Sequence, residues 1–351
     1  MPSEDMIRAI LKKRVEPDRK CTGIVAYVLD NAGRRLVIYQ RPDEAHERPL
    51  DGDAVVEVGS ITKVLTALLL ADMVERGEAA LNDPVGKYLP EPVEVPDYNG
   101  RPITLLDLAS YTSGLPRSPD NIHSKNPLNP FADYTVDQLY ACLGHVLRSS
   151  PATHFEYSNI GFSLLGYALA HRAGRTYDDL LIERICQPLG IESTRITLTA
   201  DMRSRLAQGH NRSLEPTPLW DLPAFAGAGA VRSTANDLLV LLEACLDQRN
   251  TPLGPALALL LEARRTPTGT RGVEAGLGWF ISTAGDDEVV WKDGWTGGFA
   301  SFIGFSTGSG RGAIVLTNAG NPDGLVDMGM HLVNPHYPAV QKSCRLCGKS
   351  Y

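Results

Sequence analysis

The sequence predicts an α+β fold, an α/β sandwich in which an antiparallel β-sheet is flanked by helices and carries an inserted, mostly helical lobe. Runs typical of strands occupy both ends of the chain, and runs typical of helices occupy its middle. One sheet built from both ends, with a helical block inserted between them, is the simplest arrangement of that order. The 351 residues are 43% hydrophobic and 21% charged, which supplies enough apolar side chains for a large core.

The N-terminal part predicts a helix, a hairpin and a second, longer helix. Ser3 is placed to cap the first helix, and the turn-forming residues 30–33 separate two strand-like runs. In the longer helix, Ile61, Val64 and Leu68 recur at helical spacing on a nearly all-round apolar surface, which predicts burial in the middle of the fold. The predicted elements are strands over residues 22–29, 35–40 and 54–58 and a helix over residues 60–76.

The rest of the chain predicts helices first and strands afterwards. Polar loops rich in Pro, Asn and Asp separate the helical runs, and Gly-rich turns separate the strand-like runs. The predicted helices cover residues 104–110, 135–147, 161–173, 177–186, 233–247 and about 325–332. The predicted strands cover residues 277–283, 288–291, 299–305 and 313–317.

Charge and hydropathy exclude two classes of function. The net charge of −7 argues against a nucleic-acid binder held by phosphate contacts, and no apolar run approaches the roughly 18 residues of a membrane-spanning helix. Acidic residues precede basic ones at the N-terminus, the reverse of a secretory signal. We therefore expect a cytoplasmic location, or a periplasmic or secreted one if a signal has been removed.

Cys344 and Cys347 lack the second pair that a four-cysteine zinc site needs, so no metal or cofactor is expected.

Ser60-Ile61-Thr62-Lys63 is the first motif with chemical meaning. Residues three apart share a helix face, so the Ser60 hydroxyl and the Lys63 amine can meet. Serine needs a neighbouring base to act as a nucleophile, and a desolvated lysine accepts a proton or assists another base. The alternative is a capping serine beside a solvated lysine, but an unpaired lysine in so apolar a helix would be costly.

Tyr157-Ser158-Asn159 is the second motif and lies on a loop just before a predicted helix. Tyr157 is a candidate proton carrier if cations stabilise its phenolate, and Asn159 offers both a donor and an acceptor. Taken alone, a Tyr-Ser-Asn tripeptide is more often a turn with an anchoring aromatic residue.

The stretch from Asp293 to Phe299 is the third motif, with Trp295-Thr296-Gly297 at its centre. Small residues at the start of a strand let a substrate approach the backbone closely. The N–H group that follows Gly297 is a candidate for one half of an oxyanion hole. Taken alone, this motif is better explained as the Gly-rich start of a hairpin.

An S-x-x-K at a helix start, a Y-x-N in the middle of the chain and a T-G near its end form the motif set of serine β-lactamases and penicillin-binding proteins. The chain resembles the class C β-lactamase-related group, which includes D-alanyl-D-alanine carboxypeptidases, D-aminopeptidases and the β-lactamase-like family VIII carboxylesterases. Segments outside the motifs are similar too: Asp83-Pro84-Val85, Tyr111-Thr112-Ser113-Gly114-Leu115-Pro116 and Pro188-Leu189-Gly190. The resemblance covers about residues 20 to 335.

The resemblance implies a β-lactamase/transpeptidase-like fold and a role for each motif residue. Ser60 would be the acylated nucleophile, with Lys63 as its proton partner. Tyr157 would be the general base that also protonates the leaving group. Asn159 would orient Lys63 and bind the acyl side of the substrate.

The resemblance further implies an oxyanion hole made by the backbone N–H groups of Ser60 and Gly298, while Thr296 and Gly297 would line the strand along which the substrate lies. Because Ser60 and Gly298 must meet, we expect one catalytic unit of two lobes. That unit would span residues 1–340, with 1–80 and 225–340 as the sheet lobe, 81–224 as the helical lobe and 341–351 as a polar tail.

Trp295 stands where the resemblance calls for lysine before Thr-Gly. Lysine there helps to hold a substrate carboxylate, whereas tryptophan offers an apolar face and one N–H donor. This difference resembles the carboxylesterase branch, although Lys292 and Arg232 lie near enough in sequence to act as anion partners. Loops 117–133 and 210–222 are expected to shape the acyl pocket.

Three functions stay open at this stage, all with a small-molecule ester, amide or β-lactam substrate and an unknown oligomeric state. The favoured one is a serine carboxylesterase with possible β-lactamase activity. The second is a class C-type β-lactamase or D-amino-acid peptidase. The third is a β-lactam-binding protein without turnover, or an acyltransferase.

Overall fold

Long strands lie at both ends of the chain, as predicted. The computed structural model describes residues 2–16, 20–41, 48–147, 149–262, 264–265, 273–284 and 287–337. Its strands are β1 (Gly23–Asp30), β2 (Gly33–Gln40), β3 (Val56–Glu57), β4 (Gly209–His210), β5 (Pro216–Thr217), β6 (Arg232–Ser233), β7 (Arg264–Arg265), β8 (Val273–Gly276), β9 (Phe280–Ala284), β10 (Asp287–Trp295), β11 (Ala300–Ser306) and β12 (Arg311–Thr317).

Eight of these strands form one antiparallel sheet in the order β2-β1-β12-β11-β10-β9-β8-β7. The first strand pairs with the last, with Ile24 opposite Thr317 and Leu29 opposite Gly312. The predicted α+β fold, with one sheet built from both ends of the chain, is confirmed. The predicted strand over residues 277–283 is shorter in the structure, since β9 begins at Phe280, and β10 is longer than the predicted 288–291.

The predicted helices are present with small shifts at their ends, except that the one predicted over residues 177–186 is α-helical only over Tyr177–Leu181 and continues as a π-helical turn over Ile182–Cys186. Side-chain caps fix where several helices begin. At the first helix, the Ser3 side chain accepts a hydrogen bond from the Met6 N–H, which satisfies one of the free N–H groups of the first turn. The helices are α1 (Glu4–Val15), α2 (Thr62–Glu75), α3 (Leu105–Ala109), α4 (Val136–Val146), α5 (Asn159–Ala173), α6 (Tyr177–Leu181), α7 (Gln187–Leu189), α8 (Ala200–Ser204), α9 (Ala226–Gly229), α10 (Ala235–Leu246), α11 (Gly254–Glu262) and α12 (Leu325–Val333).

Helices cover both faces of the sheet. Helix α12 packs on β11 so closely that a Cβ on Gly329 would lie 2.3 Å from the Phe302 ring, and α10 packs on β12, where a Cβ on Gly312 would lie 2.8 Å from Leu242. Gly312 pairs with Phe305, and side chains alternate along a strand, so Phe302 and Gly312 face opposite sides. The predicted flanking of the sheet by helices is therefore confirmed.

Helix α2 runs through the centre of the protein. Every residue from Thr62 to Met73 is buried, which confirms the burial predicted from its all-round apolar surface. The helix itself begins at Thr62, and a 3₁₀ turn over Gly59–Ile61 precedes it. This turn, and not the first turn of the α-helix, carries Ser60.

Among the residues that the structure describes, no helix is both long enough and apolar enough to cross a membrane. Residues 341–351, including Cys344 and Cys347, lie outside the described residues, and the limits of the two predicted lobes remain a prediction.

Candidate active site

The turn that carries Ser60 is pressed against the end of strand β10. Gly59 has a φ of 49°, and a Cβ at that residue would lie 2.6 Å from the Trp295 backbone nitrogen. A Cβ on Gly294 would lie 2.2 Å from the Val58 carbonyl oxygen and 2.7 Å from the Ser60 nitrogen. Only glycines allow this approach. It brings the Trp295 and Ser60 main chains side by side.

Lys63 lies one helical turn beyond Ser60 and is fully buried. Its Nζ donates hydrogen bonds to Ser60 Oγ at 3.1 Å, Asn159 Oδ1 at 2.8 Å and the Ala228 carbonyl at 2.7 Å. The ammonium group thus has an acceptor for each of its three N–H bonds. The predicted meeting of Ser60 with Lys63 is present, and Ser60 is not a capping serine, because the N-cap of α2 is Ile61 without a side-chain cap bond.

Tyr157 approaches Ser60 from the loop before α5. Its hydroxyl donates to Ser60 Oγ at 2.6 Å, and its ring stacks on Tyr111 with centroids 5.3 Å apart. Lys63 Nζ and Lys292 Nζ lie 4.9 Å and 5.0 Å from the Tyr157 ring centroid. Both ammonium groups thus lie within cation–π range of the Tyr157 ring.

Asn159 joins the loop of Tyr157 to helix α5, where it is the first residue. The Ser158 hydroxyl caps this helix by accepting from the Gly161 N–H at 2.9 Å, which fixes the direction of the chain on both sides. The Asn159 amide oxygen faces Lys63, and its backbone N–H donates to the Arg117 carbonyl at 2.9 Å. The tripeptide is therefore part of the site and not an isolated turn.

The structure does not bring Gly298 to Ser60. Gly298 lies in the turn between β10 and β11, its Cα 3.1 Å from where a Cβ of Gly209 would stand, and its carbonyl accepts from the His210 N–H at 3.2 Å. The nitrogen beside the Ser60 turn belongs to Trp295 instead. The prediction placed the contact three residues too late in the β10–β11 hairpin, at Gly298 instead of Trp295.

Thr296 and Gly297 take different positions around the same turn. The Thr296 N–H donates to the Phe299 carbonyl at 2.9 Å, and its hydroxyl donates to Glu57 Oε2 at 2.6 Å. A Cβ on Gly297 would lie 2.5 Å from the Trp220 indole nitrogen. Thr296 lines the cavity beside Ser60, while Gly297 packs beneath Trp220.

The same three-residue shift along the β10–β11 hairpin places Lys292 at the position where the resemblance calls for a lysine. Lys292-Asp293-Gly294 has the Lys-x-Gly pattern that the resemblance calls for at residues 295–297. Lys292 is fully buried, forms an ion pair with Asp293 at 3.3 Å and lies 4.5 Å from the Phe280 ring centroid. The absence of lysine directly before Thr296 therefore does not leave the site without this cation.

A cavity of about 60 Å³ opens beside Ser60. Both loops expected to shape the pocket contribute to it, as predicted. Its walls are Gly59, Ser60, Arg117, Phe131, Asn159, Trp220, Leu222, Phe225, Ala228, Gly229, Trp295 and Thr296. Within the described part of the chain, His, Cys, Asp and Glu side chains form no group of three or more that could hold a metal ion.

Glu57 and Arg232 are residues of this site that sequence reasoning missed as a pair. They lie opposite each other on β3 and β6, and the side-chain ion pair measures 3.6 Å. Burial raises the pKa of the Glu57 carboxyl, while the hydrogen bond from Thr296 and the charge of Arg232 oppose that rise. The available signal was a glutamate between Val56 and Val58, since a charge inside an apolar run is costly unless it is paired.

Comparison with known proteins identifies the family of this chain. A sequence model of the family described as Beta-lactamase matches residues 7–332. The D-alanyl-D-alanine-carboxypeptidase/endopeptidase AmpH of Escherichia coli is 30% identical over 308 residues, which cover 84% of this chain and 79% of that protein. Penicillin-binding protein 4 of Amycolatopsis lactamdurans is 30% identical over 285 residues, covering 76% of this chain and 73% of that protein.

Solved structures give the same result for the fold. A class C β-lactamase from Rhodobacter sphaeroides superposes with a TM-score of 0.79 at 25% identity, covering 94% of this chain and 99% of that one. A β-lactamase/D-alanine carboxypeptidase from Yersinia pestis, complexed with citrate, gives a TM-score of 0.76 at 26% identity, covering 91% of this chain and 94% of that one. The chain therefore belongs to the β-lactamase family and is a serine hydrolase of that family.

Proposed function

We propose that this protein is a carboxylesterase that works through an acyl-enzyme at Ser60. The observation that carries the proposal is the pair of hydrogen bonds that Ser60 Oγ receives from Lys63 and from Tyr157. A serine held by two proton-transfer groups is equipped to lose and regain its proton within one turnover.

The proposed reaction begins with attack of Ser60 Oγ on the ester carbonyl carbon. With Tyr157 in its phenolate form, the serine proton passes to the Tyr157 oxygen, and the backbone N–H groups of Ser60 and Trp295 receive the developing oxyanion. Collapse of the tetrahedral intermediate breaks the bond to the alcohol oxygen, which takes the proton from Tyr157. Water then gives a proton to the Tyr157 phenolate as its oxygen attacks the acyl carbon. Collapse of this second intermediate breaks the bond between the acyl carbon and Ser60 Oγ, which takes the proton back from Tyr157, and the acid leaves.

The charges around the cavity support an ester in preference to a substrate recognised by its carboxylate. Lys292 is fully buried and paired with Asp293, and Arg232 is paired with Glu57. A cation that is buried and already paired gains little from a second anion. Half of the twelve residues in the cavity walls, in contrast, are aromatic or aliphatic: Phe131, Trp220, Leu222, Phe225, Ala228 and Trp295.

A β-lactamase or D-alanyl-D-alanine carboxypeptidase is the second candidate. Arg117 lines the cavity, and its guanidinium carbon lies 4.9 Å from the Tyr157 ring centroid, where a substrate carboxylate could reach it. The similarity to AmpH and to penicillin-binding protein 4 favours the same candidate. Acylation without turnover is less well supported, because Tyr157 is in hydrogen-bond contact with the serine it would serve in deacylation.

A substrate panel separates these candidates. We expect kcat/KM to be highest for p-nitrophenyl butyrate, lower for nitrocefin, and lowest for a D-alanyl-D-alanine peptide and for D-amino-acid amides. Intact mass recorded during turnover identifies any acyl-enzyme that accumulates. A nitrocefin or peptide value well above the ester value would contradict the carboxylesterase proposal, and a permanent adduct without product would indicate a binding protein.

A further inference from the structure

Aromatic rings form a continuous wall on one side of the cavity beside Ser60. Trp220 lies 6.2 Å from Trp295 between ring centroids, and Phe131 contacts Trp220 edge-on at 5.2 Å and Phe225 at 5.3 Å. Tilted and edge-to-face contacts of this kind are the favourable geometries for aromatic pairs. A further ring that enters the cavity would have several aromatic side chains to pack against.

The volume of the cavity is suited to a small ring. Its volume of about 60 Å³ corresponds to about four or five water positions, since one water needs roughly 10–15 Å³ by this measure. That space is of the order of one six-membered ring. A ring in that space would lie against the aromatic wall, which a short acyl group leaves unused.

Trp220 is held in this wall by its backbone. Its N–H donates to Glu57 Oε1 at 2.7 Å, and its carbonyl accepts from Arg232 Nη2 at 2.7 Å. Both partners are buried, with Glu57 3% and Arg232 7% exposed. The Glu57–Arg232 ion pair therefore holds the Trp220 backbone through both its N–H group and its carbonyl group.

Hydrogen bonds on the outer side of Trp220 hold the two pocket loops together. The indole N–H donates to the Leu128 carbonyl at 3.0 Å. The next residue, Asp221, exchanges two hydrogen bonds with Asn129, both of 3.0 Å. A ring fixed at its backbone and at its indole nitrogen loses little conformational freedom when a ligand binds, so the wall is preorganised.

We propose that the buried Glu57–Arg232 pair, by fixing Trp220, makes this cavity selective for a compact aromatic acyl group such as phenylacetyl. The inference rests on the proposed acyl-enzyme function. Glu57 acts here as a positioning residue, through Trp220. Its second carboxylate oxygen accepts from Thr296, which ties the wall to the strand that carries the proposed oxyanion nitrogen.

The test compares p-nitrophenyl phenylacetate with p-nitrophenyl acetate and octanoate. The leaving group is the same in all three, so the ratio of kcat/KM values reports the acyl pocket. Wild-type protein should prefer phenylacetate. Trp220→Ala should lower the phenylacetate-to-acetate ratio at least about tenfold, which corresponds to about 1.4 kcal/mol, whereas Leu128→Ala, which keeps the backbone carbonyl, should leave the ratio unchanged.

A double-mutant cycle tests the role of Glu57. Glu57→Ala should lower the same ratio about threefold or more, mainly through KM, and the double variant with Trp220→Ala should show no loss beyond that of Trp220→Ala alone. Glu57→Gln, which retains one acceptor oxygen, should bring the ratio back toward that of the wild type. It also serves as the second variant if Glu57→Ala does not fold.

Three results would overturn the inference: no preference for phenylacetate in the wild type, an unchanged ratio in Trp220→Ala, or fully additive losses in the cycle. In each of these the protein still hydrolyses esters in a Ser60-dependent manner. Failure of the proposed function is a different result, namely no Ser60-dependent ester hydrolysis with any acyl group.

Discussion

Replacing Gly294 by alanine should disable the site without touching any side chain proposed to act in catalysis. The new Cβ would lie 2.2 Å from the Val58 carbonyl oxygen and 2.7 Å from the Ser60 nitrogen. Both are backbone atoms, so no flexible side chain can move away. Ordinary contact begins at 3.4 Å, and the turn of Ser60 must therefore shift by about 1 Å relative to β10, a displacement that can cost about a hundredfold in rate.

We therefore expect kcat for p-nitrophenyl butyrate to fall about a hundredfold in Gly294→Ala, with a loss of roughly 1–3 kcal/mol in the free energy of unfolding from overpacking. Steady-state kinetics and urea denaturation measure the two effects. Gly144→Ala is the matched control, because Gly144 lies on α4 with no atom within 4 Å of the added Cβ. It should keep its kcat and gain up to about 1 kcal/mol from helix propensity.

A folded Gly294→Ala protein with kcat within about threefold of the wild-type value would refute this reasoning, since a shift of 1 Å should cost far more. Such a result would mean that β10 and the Ser60 turn are not held in the close contact described above. The position of the Trp295 nitrogen as an oxyanion donor would then lose its support.

Three further predictions concern the base, the core and the buried acid. Tyr157→Phe should lower kcat at least about a hundredfold, the scale of a lost general base, and a wild-type rate would leave Lys63 as the base. Leu68→Ala, in the fully buried face of α2, should cost about 2–5 kcal/mol in urea denaturation; a loss below 1 kcal/mol would contradict its burial. Because the folded-state pKa of Glu57 is raised above 4.5, the native state binds the extra proton, so this residue should reduce stability as pH rises above 4.5. As pH rises, the free energy of unfolding of the wild type should therefore fall relative to that of Glu57→Gln. A difference independent of pH would contradict the raised pKa of Glu57.

Periodicity and capping predicted most of the fold because those signals are local. The all-round apolar surface of α2 required a buried helix, and the order of strands and helices required a sheet that joins both ends of the chain. Helix α11 was missed because Pro252, Gly254 and Pro255 at its start are turn signals. The pairing of β7 and β8 has no comparable alternation in sequence.

The site was predicted as far as helical spacing and short motifs reach. Ser60, Lys63, Tyr157 and Asn159 meet as expected, with hydrogen bonds between them. The hairpin was the weak point, because Gly294 and Gly297 offer equivalent small residues three positions apart, and sequence alone does not decide which of them faces Ser60. That choice depends on the approach of two backbones, which is a property of the folded chain.

The most direct test of the central claim is to locate the covalent intermediate. Wild-type protein mixed with p-nitrophenyl butyrate and quenched in acid within one turnover should carry one butyryl group, and peptide mapping should assign it to Ser60. Ser60→Ala should carry no adduct and should release no p-nitrophenol above the uncatalysed rate. An adduct on another residue, or turnover retained in Ser60→Ala, would contradict the assignment of Ser60 as the nucleophile.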